Sequence, residues 1–262
     1  MTSSYVYDQG WSEERARLAG IESLWDTGTR ELLARHGAQP GASALEVGAG
    51  GGSVVEWLAT QVGASGRVLA TDLDTRFVEP LASEVVEIRR ADVVADELPE
   101  GEFDIVHTRL LLEHLPARDA ALDRLVRALR PGGWLIVEDY DWTAFGFDPG
   151  GDAESRATSA ILAFMANAGF DPTFGRRVTS AFAARGLTDV RGEGRSLVID
   201  ADDPGFPFFA LSLEQLAPVV VQAGLLSEED AAAARAGLDA GTNRIITPTL
   251  VAALGRKPST SG

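Results

Sequence analysis

Glycines and carboxylates are interleaved in one stretch of this chain in a pattern that chemistry could use. Glu46 is followed by Val47, Gly48, Ala49, Gly50, Gly51 and Gly52, and further acids recur at Asp72, Asp74 and Asp92. Without a Cβ, Gly48, Gly50 and Gly52 let the backbone turn tightly and let a ligand approach the N-terminus of a following helix. Taken alone, such a turn serves several nucleotide-binding folds. The surrounding acids narrow the choice. They would repel phosphates and favour a ligand that carries cationic groups and a diol in need of acidic acceptors.

The elements that position these residues alternate along the chain. Ala44 to Val47 reads as a short strand, and after the glycine turn Val54, Val55, Leu58 and Val62 recur at helical spacing until Gly63. A second strand over 67–71 ends on Asp72, a short helix is expected over 77–85 with Asp74 as its N-cap, and a third strand over 86–90 leads to Asp92. A fourth strand spans 103–107. A helix follows over 117–129, Pro131-Gly132-Gly133 stops it, and a fifth strand covers 134–137. Such alternation predicts an α/β fold with a doubly wound, mostly parallel seven-stranded sheet, helices on both faces, and ligands bound at the carboxyl ends of the strands.

Around this core, residues 11–36 read as helical, with Ser12 as N-cap, a stripe of Leu18, Ile21, Leu24 and Trp25, and Gly28 as a candidate break. Beyond residue 140 helices are expected over 153–168 and 176–185, a strand over 195–199, a variable stretch over 201–247 and a last strand over 248–255. The resulting division is a single domain over 1–262. It has a helical lid (1–37), a cofactor-binding core (40–140), substrate-cap inserts (141–186 and 201–247) and a flexible tail (258–262).

Composition excludes several function classes. A net charge of -16 over 262 residues argues against binding a polyanionic nucleic acid. No apolar run approaches the roughly twenty residues that cross a bilayer, and the polar start lacks a signal peptide's features, so a cytoplasmic protein without membrane contact is expected. There is no cysteine, and His36, His107 and His114 show no metal-ligand spacing, so no metal is expected. Lys257, the only lysine, lies near the C-terminus, which rules out a Gly-Lys-Ser/Thr phosphate loop and a Schiff-base lysine in the core.

Several motifs in order resemble the class I S-adenosylmethionine-dependent methyltransferases of small-molecule type. EVGAGGG (46–52) resembles that family's first motif, TDLD (71–74) its second and AD (91–92) its third, while FDIVHTRLLLEHL (103–115) and RPGGWLIVED (130–139) resemble its fourth and fifth strand segments. The resemblance implies S-adenosyl-L-methionine as cofactor, with S-adenosyl-L-homocysteine as product. It places Gly48 and Gly50 at the methionine part, Asp72 at the ribose hydroxyls, Asp92 at the adenine with Val93 beside it, and Thr108 and Arg109 near the transferring methyl, with Glu46, Gly52 and Leu73 also among the cofactor-binding residues.

Methyl transfer is an in-line displacement on an already charged electrophile, so a base is needed only for a protonated acceptor. His107, His114 and Glu113 are the catalytic candidates, Glu113 because related lipid-modifying enzymes that resemble this segment line their substrate site with a glutamate here; Tyr140 and Asp141 are further possibilities. Most phenylalanines lie beyond residue 140, among them Phe145, Phe147, Phe164, Phe170, Phe174, Phe206, Phe208 and Phe209. They predict an apolar pocket over the methyl donor and a small, largely hydrophobic acceptor of the kind met in secondary metabolism, with O-methylation favoured over N or C. Tyr5, Tyr7 and Trp11 are expected to close over the cofactor, and the chain to act as a monomer or homodimer. Two rivals remain: a methyltransferase-like fold that catalyses a cyclisation, and an NAD(P)-dependent oxidoreductase, which Ser53 at the third position of the glycine motif disfavours.

Overall fold

The computed structural model describes residues 10–259. Tyr5 and Tyr7, assigned to the lid, and residues 260–262 of the tail lie outside them. Strands β1 (Ser43–Val47), β2 (Arg67–Asp72), β3 (Val86–Arg90), β4 (Phe103–Arg109) and β5 (Leu129–Asp141) are joined by β7 (Thr188–Arg195) and β10 (Thr249–Arg256) in one seven-stranded sheet. Its order is β3-β2-β1-β4-β5-β10-β7, and β10 is antiparallel to both of its neighbours. This is the doubly wound, mostly parallel sheet that the alternation of elements predicts. The chain leaves β1 for β2 and β3 on one side, then returns to place β4 on the other. That reversal opens a crevice at the carboxyl ends of the strands.

Both faces of the sheet are covered, as parallel strands require. Helices α1 (Glu14–Arg35) and α2 (Ser53–Val62) pack Leu33, Val55 and Leu58 on one face, against Ala44, Ile105 and Ile136. On the other, α3 (Arg118–Ala128) and α5 (Val178–Ala184) pack Leu122, Leu125 and Phe182 against Leu45, Val106 and Val137. The α1 face changes character along the strands. Ala44, Ile105 and Ile136 give way, two residues on, to Glu46, His107 and Glu138, so the face turns from apolar to charged as it nears the crevice.

The cap is built from α4 (Asp152–Asn167), α6 (Phe206–Gln222) and α7 (Glu228–Asp239). A three-stranded antiparallel sheet of β6 (Gly146–Asp148), β9 (Arg244–Ile246) and β8 (Val198–Ile199) ties its segments together, with Ile245 opposite both Phe147 and Ile199. Lys257 ends the chain's business at the bottom of the sheet: its Nζ donates to the carbonyls of Arg127 and Leu129 and caps α3.

Local expectations differ from the structure at several places. Residues 77–85 form only a single 3-10 turn, Glu79–Leu81, because Pro80 supplies no N–H in mid-helix; Asp74 caps no helix and accepts from Arg76 N instead. Ser12 makes no cap, its hydroxyl meeting Glu13. The strand expected over 195–199 is two strands, β7 and β8, and β5 starts at Leu129, ahead of the Pro-Gly-Gly stop.

Gly28 does not break α1, which runs unbroken for 22 residues. It makes room instead, since a Cβ there would collide with the Arg195 guanidinium on its way to Glu138. Gly28→Ala gains about 1 kcal/mol of helix propensity but displaces Arg195 from a buried carboxylate, a loss of about 1.5–3 kcal/mol. Guanidinium denaturation should therefore show net destabilisation. Net stabilisation would mean that Glu138 does not depend on Arg195.

Candidate active site

A cavity of about 400 Å³ occupies the crevice. Its floor is the glycine turn, where Gly48, Gly50 and Gly52 all have left-handed backbones, with φ of +75°, +54° and +92°. Such angles strain any residue with a Cβ. Gly48 and Gly50 line the cavity with Glu46, whereas Gly52 does not: it starts α2 and packs under Val78 and Leu81, where a Cβ would overlap Leu81. Its glycine serves close packing between helix and loop.

Asp72 and Leu73, at the end of β2, and Asp92 and Val93, after β3, bring two more walls to the cavity. Asp72 braces the floor, one oxygen accepting from Gly50 N at 2.8 Å and the other from Asp74 N at 3.0 Å. Each oxygen keeps a second lone pair for a ligand. Burial pushes the Asp72 carboxyl above its usual range, against the pull of these amides. Asp92 Oδ1 likewise accepts from Val94 N at 2.8 Å, which fixes the loop that follows it. The cations here are spoken for: Arg109 bonds Asp26 and Thr29, and Arg17 makes a two-pronged pair with Glu14. The cavity wall is thus acidic where the strands end.

The catalytic candidates separate according to sheet parity. His107 does not reach the cavity. It is buried on the α1 face, with Nδ1 2.6 Å from a Glu46 oxygen and Nε2 3.2 Å from a Glu138 oxygen, and burial pushes Glu46 up against the pull of His107. Only an imidazolium donates from both nitrogens. Burial alone would lower its pKa, but the two carboxylates push it up to about 9. Glu138, which burial would raise, is held below its usual range by His107, Arg195 and Arg109. His107 is a structural cation, not a base facing an acceptor. Thr108 is also corrected: one residue out of phase with His107 and Arg109, it is buried in the sheet and does not line the cavity. Arg109 does line it.

Glu113 and His114 sit on a 3-10 turn, Leu112–His114, instead of a following helix, and both line the cavity. Glu113 accepts from Tyr140 N at 3.0 Å and lies 3.5 Å from His114 Nε2. Burial, with the nearby Asp139 carboxyl, pushes Glu113 well above the usual carboxylate range. Burial and the Arg17 and Arg118 charges push His114 down to about 3, leaving it neutral. Tyr140 lines the cavity and accepts from Trp25 Nε1 at 2.6 Å; Asp141 pairs with Arg176 away from it.

Arg17, Leu110, Trp142 and Met165 also line the cavity wall and were not expected there, whereas Phe208, one of the phenylalanines expected over the methyl donor, does line it. Arg17 had a signal, since it falls at helical spacing with Ile21 and Trp25. Leu110 had none: its φ of +53° is rare for such a side chain and is held by its N–H bonding Glu138 O at 2.7 Å.

Residues 45–137, which carry this floor and these walls, match the family described as methyltransferase domain. These residues are a methyltransferase domain of the class I type. The chain is 34% identical over 172 residues to methyltransferase str3 of Strobilurus tenacellus, covering 64% of this chain and 60% of that one. It is 29% identical over 129 residues to the ubiquinone/menaquinone biosynthesis C-methyltransferase UbiE of Hahella chejuensis, covering 46% and 51%. The chain thus spans about half the length of the curated relatives it matches. Among solved structures, a phosphoethanolamine N-methyltransferase 2 of Haemonchus contortus, in complex with phosphomonomethylethanolamine and S-adenosylhomocysteine, superposes with a TM-score of 0.60 over 99% of this chain and 61% of that one. At 16% identity that likeness is one of fold.

The protein should lose stability in alkali through His107. Its folded pKa lies above the unfolded value, so the contribution is complete below about pH 6.5 and is lost as pH rises through about 9. It amounts to about 3 kcal/mol at full strength. Denaturation midpoints of the parent should fall between pH 6.5 and 9.5 more steeply than those of His107→Gln. Parallel profiles would contradict a charged His107.

Proposed function

We propose that this chain transfers the methyl group of S-adenosylmethionine to a small, largely hydrophobic acceptor. The observation that carries the reading is one continuous cavity with two unlike halves. Acids stand at the strand ends, and Trp142, Met165 and Phe208 stand under the cap. In this assignment Gly48 and Gly50 admit the methionine part over the turn, Asp72 accepts from the ribose hydroxyls, and Asp92 meets the adenine amino group with Val93 beside the ring. The acidic field suits a sulfonium and an ammonium. When bound, S-adenosylmethionine supplies an electrophilic methyl group that needs no further activation, so the protein's part is alignment and exclusion of water.

The acceptor follows from what the wall lacks. Neutral His114, pushed down to about 3, is too weak a base to ionise an ordinary alcohol, and Glu113, raised by burial, is already engaged with Tyr140 N. An acceptor that ionises readily by itself, such as a phenol or enol, needs only to be oriented. We take oxygen as the methylated atom on this ground, with an unprotonated nitrogen or a carbon nucleophile, which need no base either, as the alternatives for the test below.

Two measurements test the reading. Tritiated methyl transfer to a panel of phenols, enols, aliphatic alcohols and amines should label phenols or enols; label in amines alone would overturn the oxygen assignment. Asp72→Ala should weaken S-adenosylhomocysteine by about 1.5–3 kcal/mol, as loss of a charged hydrogen bond does. Unchanged affinity in calorimetry would remove Asp72 from the site.

A further inference from the structure

Beside the main cavity lies a second, smaller one of about 60 Å³ between α4, α6 and the small sheet. The two share Trp142, Met165 and Phe208, so those three side chains form a partition between adjoining spaces. Aromatic rings pave the way into it. Trp142 packs on Phe145 at 5.1 Å, Phe145 stacks on Phe209 at 5.6 Å with 29° between planes, and Phe147 closes edge-on to Phe145 at 5.3 Å. Rings packed this way leave apolar faces toward the space they enclose.

Among the lining side chains, two carry buried polar atoms with no hydrogen-bond partner among the described residues: Trp142 Nε1 and Ser212 Oγ. Buried polar atoms are ordinarily paired, and a ligand is one way to pair them. An indole N–H only donates, so it asks for an oxygen that accepts; a serine hydroxyl can donate to the same kind of atom or accept from it. The one charged side chain on this lining, Glu154, is committed to Asn243 Nδ2 at 2.8 Å, and no arginine or lysine faces the space. A phosphate or carboxylate would find no counter-charge here.

We infer that this annex receives the apolar arm of the acceptor, a neutral flat or aliphatic group bearing one hydrogen-bond-accepting oxygen that meets Trp142 Nε1 and Ser212 Oγ. The inference rests on the methyl-transfer reading for the identity of the occupant, while the annex itself is a matter of packing. Met165, unbranched and adaptable, sits where the arm must pass, and its side chain can move aside without disturbing the backbone. The reacting end then lies on the Trp142 side, in the main cavity, toward the glycine turn.

The test uses a pair of probes of closely matched shape, 2-acetonaphthone and 2-isopropenylnaphthalene, which differ in a carbonyl oxygen against a methylene. Binding to the parent chain is read by calorimetry with and without saturating S-adenosylhomocysteine. The ketone should bind about tenfold more tightly, the worth of a buried hydrogen bond. Ser212→Ala and Trp142→Phe should each cut that preference to about threefold or less, and Thr158→Trp, which fills the annex, should abolish binding of both probes while S-adenosylhomocysteine binding and thermal midpoint hold. Equal affinity of the two probes for the parent, or undiminished binding to a folded Thr158→Trp variant, would overturn the inference. The probe pair needs no variant to fold. Probe discrimination without any S-adenosylhomocysteine binding would sink the methyl-transfer reading and leave the annex standing; the reverse pattern would do the opposite.

Discussion

One buried imidazolium holds the centre of this structure together. His107 lies between Glu46 on β1 and Glu138 on β5, so its two bonds cross three adjacent strands at the level where they open into the crevice. The network extends beyond them. Thr29 on α1 donates to Glu138 at 2.5 Å and accepts from Arg109, Asp26 holds the other branch of Arg109, and Arg195 reaches Glu138 from β7. Removing one partner from such a set leaves an uncompensated buried charge, which costs far more than an exposed pair contributes. The consequence is a fixed geometry. Helix α1 cannot slide on the sheet without breaking it, and α1 supplies Arg17, Leu18 and Ile21 to the cavity wall.

Sheet parity divides the labour around this network. Residues of even number on β5 face α1, so Glu138 enters the charged network and Tyr140 meets Trp25; Asp139 faces the opposite side, toward the turn that carries Glu113. On β4 the same alternation commits His107 and Arg109 to the α1 face, and Thr108 to the interior. The cavity therefore takes its acids from strand ends and loops, where parity no longer applies, and its apolar wall from the cap. A Trp25–Tyr140–Trp142–Phe145–Phe209 chain of ring contacts joins the core face to the cap.

Local signals in the sequence were sufficient for the floor and for the acidic walls after β2 and β3, but not for Arg17, Leu110, Trp142 and Met165. Gly48 and Gly50 were legible because only glycine takes their backbone angles freely, and Asp72 and Asp92 because each directly follows a strand whose apolar run is plain. His107 was misplaced by a boundary: a strand read as ending at 107 puts that residue at the crevice, but β4 runs to Arg109 and buries it two residues back. Thr108 was misplaced for the same reason. The edge strand β7 reads TDVRGEGR and is largely exposed, so no hydrophobic alternation marks it. The cap's small sheet was invisible because its strands are two or three residues long and pair across more than forty residues of chain. Gly28 shows the opposite difficulty, a residue whose reason lies on a strand far along the chain.

The central claim is that an acid-lined glycine cradle, fixed from behind by the His107 network, holds S-adenosylmethionine and not a dinucleotide. Calorimetry on the parent chain with S-adenosylhomocysteine and, separately, with NADH tests it most directly. Saturable binding of S-adenosylhomocysteine at one site, with none of NADH, is the result the structure predicts. Saturable binding of NADH with none of S-adenosylhomocysteine would contradict it.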